Sequence, residues 1–333
     1  MRLAPSPEQE GFAAVLHDLL TAADLPAAAA RWSDGDHAAG RAVWARLAEA
    51  GVTGLAVPSR WGGLDAGPAD LVIACEELGH HALPGPVAES VAAVPALLAA
   101  LGQDGPCEEW LPGLAAGRVV ATLAAPPWLP YAVDAHAAGL VLLAEATAVR
   151  HGRIGAAHPS MDRSRRLFEI SAGAPIAEGP AAATAVTRAL NLGALACAAQ
   201  LLGAGRAMLE AAVGYATRRT QFGRPIGQFQ AVQHRLADVA VALEFARPLL
   251  YAAAAALAGG DTHADADRDV SAAKVACADA AHRAARAALQ VHGALGYTQE
   301  HGLGRWLTRI RVLALAWGTP AQHRARVIAE LTR

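Results

Sequence analysis

Lysine is almost missing from this chain. Lys274 is the only one, so arginine carries nearly all the positive charge. That bias fits a GC-rich genome and assigns no site chemistry. Charged residues make up 17% of the 333 positions and aromatics 5%. So little charge implies that part of the surface is covered by partners. The formal net charge is −2 and the pI about 6.7. No global field therefore recruits nucleic acid or an anionic membrane. The four cysteines, Cys75, Cys107, Cys197 and Cys277, are scattered and form no CxxC pair. Their spacing gives no zinc site or redox motif; no metal is expected, and buried free thiols are. The opening MRLAPSPEQEGF lacks the basic-then-apolar pattern of a signal peptide. The longest uncharged run, Ala189–Gly205, contains Asn191, Gln200 and three glycines, which reads as a core helix rather than a membrane span. A soluble cytoplasmic protein is expected.

What is abundant is alanine, within a hydrophobic fraction of 54%. Alanine is the best helix former and lets helices pack closely, so a mainly α fold is expected. Ser6-Pro7-Glu8-Gln9 reads as a capped helix start with a capping box. Phe12, Val15, Leu16, Leu19 and Leu20 then recur at helical spacing. A second helix is predicted from Asp36 to Ala50, stopped by Gly51. VTGLAVPSRWGGLDAG (52–67) reads as a turn-rich loop. Helices are predicted again at Pro68–His80 and Val87–Leu101. Residues 1–117 thus form a helical domain.

The character changes after Gly117. RVVATL (118–123), GLVLLA (139–144), TAVR (147–150) and RLFEIS (166–171) are short, β-prone and bounded by Gly, Pro and Asp. A small β-rich middle domain is expected over 118–180, and a helical-bundle domain, a four-helix bundle, over 181–333. In the latter, Val232, Leu236, Val239, Leu243, Ala246 and Leu250 alternate by four and three, drawing one stripe of a bundle helix. Pro248 is expected to kink or end that helix. Further helices are predicted at Asp267–Gln290, Gly302–Leu315 and Ala321–Thr332.

The most informative stretch is YATRRTQFGRPIGQFQAVQHRLADVAVALE (215–244). Arg218 and Arg219 stand near the end of one helix, and a loop with Gly223, Pro225 and Gly227 follows. Glycines admit a ligand close to the backbone, a guanidinium clamps phosphate through paired hydrogen bonds, and Phe222 offers a flat face. These residues fit a phosphate-bearing ligand at a helix-loop-helix joint; they also fit an ordinary bundle turn with solvated arginines. LLGAGRAM (201–208) contains a GxG but has no strand before it, so it reads as helix packing.

The pattern R-x-x-F-G-x-x-I-x-x-F-Q-x-x-x-H-x-L-A-D resembles the C-terminal signature of the acyl-CoA dehydrogenases. QVHGALGYTQEHGLGRWLTR (290–309) is similar to that family's Q-x-x-G-G-x-G-Y/F run, and 52–80 to its N-terminal helical domain. The resemblance covers most of the chain except the middle segment. It implies an acyl-CoA dehydrogenase fold, FAD as cofactor, an acyl-CoA or other acyl thioester as substrate, and electron-transfer flavoprotein as a partner. In the family, FAD is shared between subunits. The resemblance places Arg219 and Phe222 at its diphosphate and adjoining groups, with Gln221 between them. Gln290, Gly293 and Gly296 would approach from the neighbouring subunit, with Ala294 in place of a glycine, and Thr319 would touch the flavin nucleotide.

Two departures matter more. The family's middle domain carries T-E-P-x-x-G-S-D beside the flavin ring; here ATLAAPPWLPYAVDAH (121–136) has no such glutamate or Gly-Ser pair, and the β segment is short. The common catalytic glutamate precedes the final Gly-Thr step, and here that position is Trp317. An indole cannot accept the α proton of a thioester, so no catalytic base is expected in this chain at the usual place. Glu210 is the only acid between Ala189 and Arg218, and it is expected to be solvated. Glu300 and His301 read as surface or interface polarity, and Asp238 as structural. Three readings follow: a subunit that completes an FAD site while a homologous partner, another chain or a second copy, supplies the base; an autonomous flavoenzyme with a displaced base; or a flavin-free scaffold.

Overall fold

The computed structural model describes residues 3–259, 263–298 and 302–332. It begins as the first turn dictates: Ser6 caps α1 (Pro7–Thr21), its hydroxyl accepting from Gln9 N–H while Gln9 returns the bond to the Ser6 N–H. Two helices follow, α2 (Leu25–Ser33) and α3 (Ala38–Glu49). Asp24 caps α2 through a bond to Ala27 N–H. α2 was not anticipated, although Leu25, Ala28, Ala29 and Trp32 are buried at helical spacing. Gly51, at φ +84°, ends the α3 region as expected. α4 (Pro68–His80) has the predicted bounds. Residues Ala88–Ala93 form a π-helical turn that runs into α5 (Val94–Leu101). α6 (Asp104–Ala115) was not anticipated.

A five-stranded sheet follows, built from β1 (Ala121–Ala124), β2 (Ala132–Val133), β3 (Leu140–Glu145), β4 (Ala148–His158) and β5 (Leu167–Glu178). Its order is β1-β3-β4-β5-β2, with β1 and β3 parallel and the other pairs antiparallel. β4 and β5 extend well past their β-prone cores. Their outer halves, rich in Gly, Ala and Arg, carry no strand signal of their own and are held by pairing with each other.

The remaining helices are α7 (Pro180–Arg218), α8 (Gln230–Ala258), α9 (His263–His292), α10 (Leu303–Leu315) and α11 (Pro320–Leu331). α7 is the hub, packing against α4, α8 and α9. Where α4 crosses it, Gly203 lies on the Glu76 carbonyl, and a Cβ there would sit 1.9 Å from that oxygen. The GxG of 201–208 is thus a helix-packing device. α7 and α8 are both long and apolar enough to cross a membrane, but 89% of the apolar window of α7 is buried inside the protein. α8 continues through Pro248, so the helix does not end there. Leu243, Ala246 and Leu250 are buried on one side of it, whereas Glu244, whose carbonyl Pro248 cannot reach, lies on the exposed side, where water can take its place.

Buried polar bonds join the three regions. Trp32 Nε1 and Arg166 N–H both donate to Asp134, at 3.1 and 2.8 Å. Arg309 pairs with Asp162 and donates to the Leu83 carbonyl (2.7 Å) and Ser164 Oγ (2.9 Å). The four cysteines are buried and free.

Candidate active site

The Gly318-Thr319 turn between α10 and α11 is held from four sides. Lys274, fully buried on α9, donates to the carbonyls of Leu313 and Ala314 and so caps α10. Burial lowers the pKa of its ammonium. Trp317 then takes a left-handed backbone, φ +60°, which costs a side-chain-bearing residue about 1–2 kcal/mol. Its indole is 2% exposed and packs onto α7 at Gly193, where a Cβ would sit 2.2 Å from the ring. His323 Nε2 meets the Trp317 carbonyl at 2.8 Å and Nδ1 meets Ser271 Oγ at 3.1 Å. Gly318 N–H donates to the Trp128 carbonyl (3.0 Å), docking the turn on the sheet domain. The place where the resemblance expects a carboxylate thus holds a packed ring, and α7 presents only a glycine to it.

An acid does stand next to this ring. Glu89, in the π-helical turn, is fully buried, and neither carboxyl oxygen has a hydrogen-bond partner among the described residues. Desolvation raises its pKa, opposed by Arg165, a weak approach of the Trp317 indole and Arg309. No ion pair closes between Glu89 and Arg165 among the described residues. Arg165 is itself 3% exposed with Nε unpartnered. It lines a cleft of about 320 Å³ between Tyr131 and Met161 of the sheet domain and Val312, Leu315 and Ala316 of α10. Sequence reasoning missed both residues; the signal for Glu89 was a lone acid inside the apolar run 87–101.

Arg218 and Arg219 end α7 and line a second cleft, about 520 Å³, with Tyr215, His292, Leu295 and Trp306. The R-x-x-F-G loop is a β-hairpin, β6 (Thr220–Gln221) against β7 (Arg224–Pro225). Its two turn residues, Phe222 (φ +51°) and Gly223 (φ +76°), both lie in the left-handed region, as a two-residue hairpin turn demands. Phe222 consequently projects away from its own chain and is 92% exposed. Gln221 turns its amide back onto the Thr220 carbonyl. His292 and Leu295 bring the 290–297 run to the arginine cleft, with Gly293 at its turn (φ +59°) and Gly296 buried beside Leu289. Gln290 faces elsewhere, into a cleft between α8 and α9 with Arg235, Asp238, Arg283 and Arg286. Thr319 caps α11 through Gln322 and lines neither cleft. Within one chain, then, the arginine cleft and the Thr319 turn are separate.

Glu210 is not simply solvated: His80 Nε2 meets it at 2.8 Å and Arg206 at 3.5 Å, and the His80 hydrogen bond is foremost in lowering its pKa. Glu300 and His301 lie outside the described residues.

These features fit an FAD. Two adjacent guanidiniums line a cleft beside an open turn at Gly293, and Arg165, a buried arginine with an unpartnered nitrogen, lines the cleft between the sheet and the end of α10. Helical domain, small sheet and helical bundle together have the fold of butyryl-CoA dehydrogenase from Megasphaera elsdenii, with a TM-score of 0.81 at 21% identity over 100% of both chains. Residues 6–118 match the acyl-CoA dehydrogenase N-terminal domain and 183–332 the C-terminal domain. The chain belongs to the acyl-CoA dehydrogenase family. It is similar to acyl-CoA dehydrogenase IpdE2 of Mycobacterium tuberculosis, 29% identical over 99% of each chain. It is likewise similar to IpdE2 of Mycolicibacterium smegmatis, 30% identical over 87% of this chain and 88% of that one.

Proposed function

We propose that this chain is a subunit of an FAD-dependent acyl-CoA dehydrogenase that contributes part of the cofactor site while a homologous partner supplies the base. The observation that carries this reading is the Trp317 indole, packed against Gly193 where the proton acceptor of the reaction would stand. An indole N–H donates and cannot take the α proton. Bound FAD would accept the β hydride of the acyl thioester. This chain's Arg218 and Arg219 would hold a diphosphate, Phe222 would reach across the subunit boundary, and Arg165 would orient polar atoms at the inner wall of the sheet cleft. The test is to purify the chain alone and co-expressed with a homologue that has glutamate before its own Gly-Thr. Full FAD occupancy and acyl-CoA oxidation are expected only from the pair. Robust dehydrogenation by the isolated chain would overturn the proposal.

One observation favours a second reading, an autonomous flavoenzyme with a displaced base. Glu89 is a buried acid beside Trp317 whose two carboxyl oxygens have no hydrogen-bond partner among the described residues. In that case Glu89→Gln abolishes turnover of the isolated chain. Under the first reading the same substitution leaves the activity of the pair within about threefold of wild type, since burial rather than chemistry then defines the residue.

A further inference from the structure

Behind Trp306, which lines the arginine cleft and donates to the His80 carbonyl, three imidazoles and a carboxylate converge where α1 crosses the end of α4. Each of His17, Glu77, His80 and His81 offers one ligand atom, and the four atoms lie within 4.8 Å of one another. His17 Nδ1 stands 3.0 Å from Glu77 Oε2 and 3.3 Å from His81 Nε2. Ligand atoms around a tetrahedral ion with bonds of about 2.0–2.1 Å are about 3.3–3.4 Å apart, so these separations are already close to a coordination shell. Protons alone serve the cluster poorly. If His17 Nδ1–H donates to Glu77, that nitrogen has no lone pair for His81. His80 Nε2 is engaged by Glu210 at 2.8 Å, which leaves Nδ1 of this buried ring without a partner. A carboxylate on the far nitrogen of a histidine is the arrangement that fixes the tautomer of a metal-bound imidazole.

The surroundings are compatible with a cation. Glu76, Glu77 and Glu210 face Arg206 and Arg247, three carboxylates against two guanidiniums. Arg206 occupies Glu77 Oε1 at 2.5 Å and leaves Oε2 toward the histidines. The His17 side chain is 42% exposed, which opens a route for an ion. We propose that His17, Glu77, His80 and His81 form a binding site for a transition-metal dication, best fitted by Zn²⁺, that pins α1 to α4. Imidazole-rich sets with one carboxylate select such ions over Mg²⁺ and Ca²⁺, which prefer all-oxygen shells. Cysteine spacing could not reveal the site, because its ligands come from histidines about sixty residues apart in sequence.

The test uses the full chain, stripped with chelator and titrated with Zn²⁺ and, separately, Co²⁺. One saturating equivalent, a rise in Tm and the intense visible bands of tetrahedral Co²⁺ are expected. His17→Ala and His81→Ala should weaken binding by more than about 100-fold, and Glu210→Gln, a positioning change, by about 10-fold. His158→Ala, outside the cluster, should leave it unchanged. No saturable equivalent, a weak octahedral Co²⁺ spectrum, or His17→Ala binding as tightly as wild type would overturn the proposal. The half-exposed position of His17 lets that variant fold, and the Co²⁺ spectrum of the wild type decides without any variant.

Discussion

At the scale of single residues, Gly193 and Trp317 are one unit. The ring occupies the space that any side chain at 193 would need. Gly193→Ala should therefore cost about 1–3 kcal/mol by overpacking, although alanine is the better helix former. In a Trp317→Ala background the same change should cost nothing or stabilise, because the ring it would strike is gone. Denaturant unfolding of the four proteins in the cycle checks this; equal costs in both backgrounds would show that the two residues do not interact. Neither half of this pair could be seen in isolation. Sequence placed Trp317 at the base position, but a glycine in the middle of an alanine-rich helix carries no mark of what it faces. Glu89 and Arg165 were hidden for related reasons: a lone acid in an apolar run looks the same whether it points to water or to a cleft, and Arg165 stands among Asp162, Arg163 and Arg166, where nothing marks it as the buried one.

At the scale of elements, legibility followed local chemistry. The capping box at Ser6, the bounds of α4 and the buried stripe of α8 were all readable, since each rests on neighbours within a few residues. Elements defined by distant partners were not. β2 is two residues long and exists through pairing with β5. A helix end at Pro248 did not follow, because the cost of its missing N–H depends on which side of the helix faces water. The α10–α11 junction gives a prediction at this scale. His323 is fully buried, and desolvation, aided by Lys274 and Arg326, lowers its pKa from 6.5 to about 4. The folded value lies below the unfolded one, so the neutral ring contributes stability above pH 6.5 that is lost as the pH falls through about 4. The contribution is about 3 kcal/mol at most. His323→Gln should flatten the acid limb of Tm against pH relative to wild type. Parallel acid limbs in the two proteins would refute this.

At the scale of the molecule, α8 is two-faced. Leu243, Ala246 and Leu250 are buried, while Val241, Phe245 and Leu249 form an exposed apolar row at 53%, 74% and 43%. This row offers large hydrophobic side chains to a partner. Under the proposed function, a homologous subunit would cover it. Phe245→Asp should leave the isolated chain folded, with Tm changed by no more than a few degrees. It should also shift the co-expressed pair toward its separate subunits in light scattering. A pair that elutes and scatters as wild type would place the contact elsewhere.

Interdigitation of the indole with the α7 glycine also constrains any return to self-sufficiency. Exchanging Trp317 for glutamate would leave a void over the helix and a carboxylate inside it with no guaranteed donor. Filling that void from α7 is prohibited while the ring remains. Under the proposed function, gaining a proton acceptor here would therefore take coordinated replacements on α7 and in the α10–α11 turn, the first of which is harmful alone.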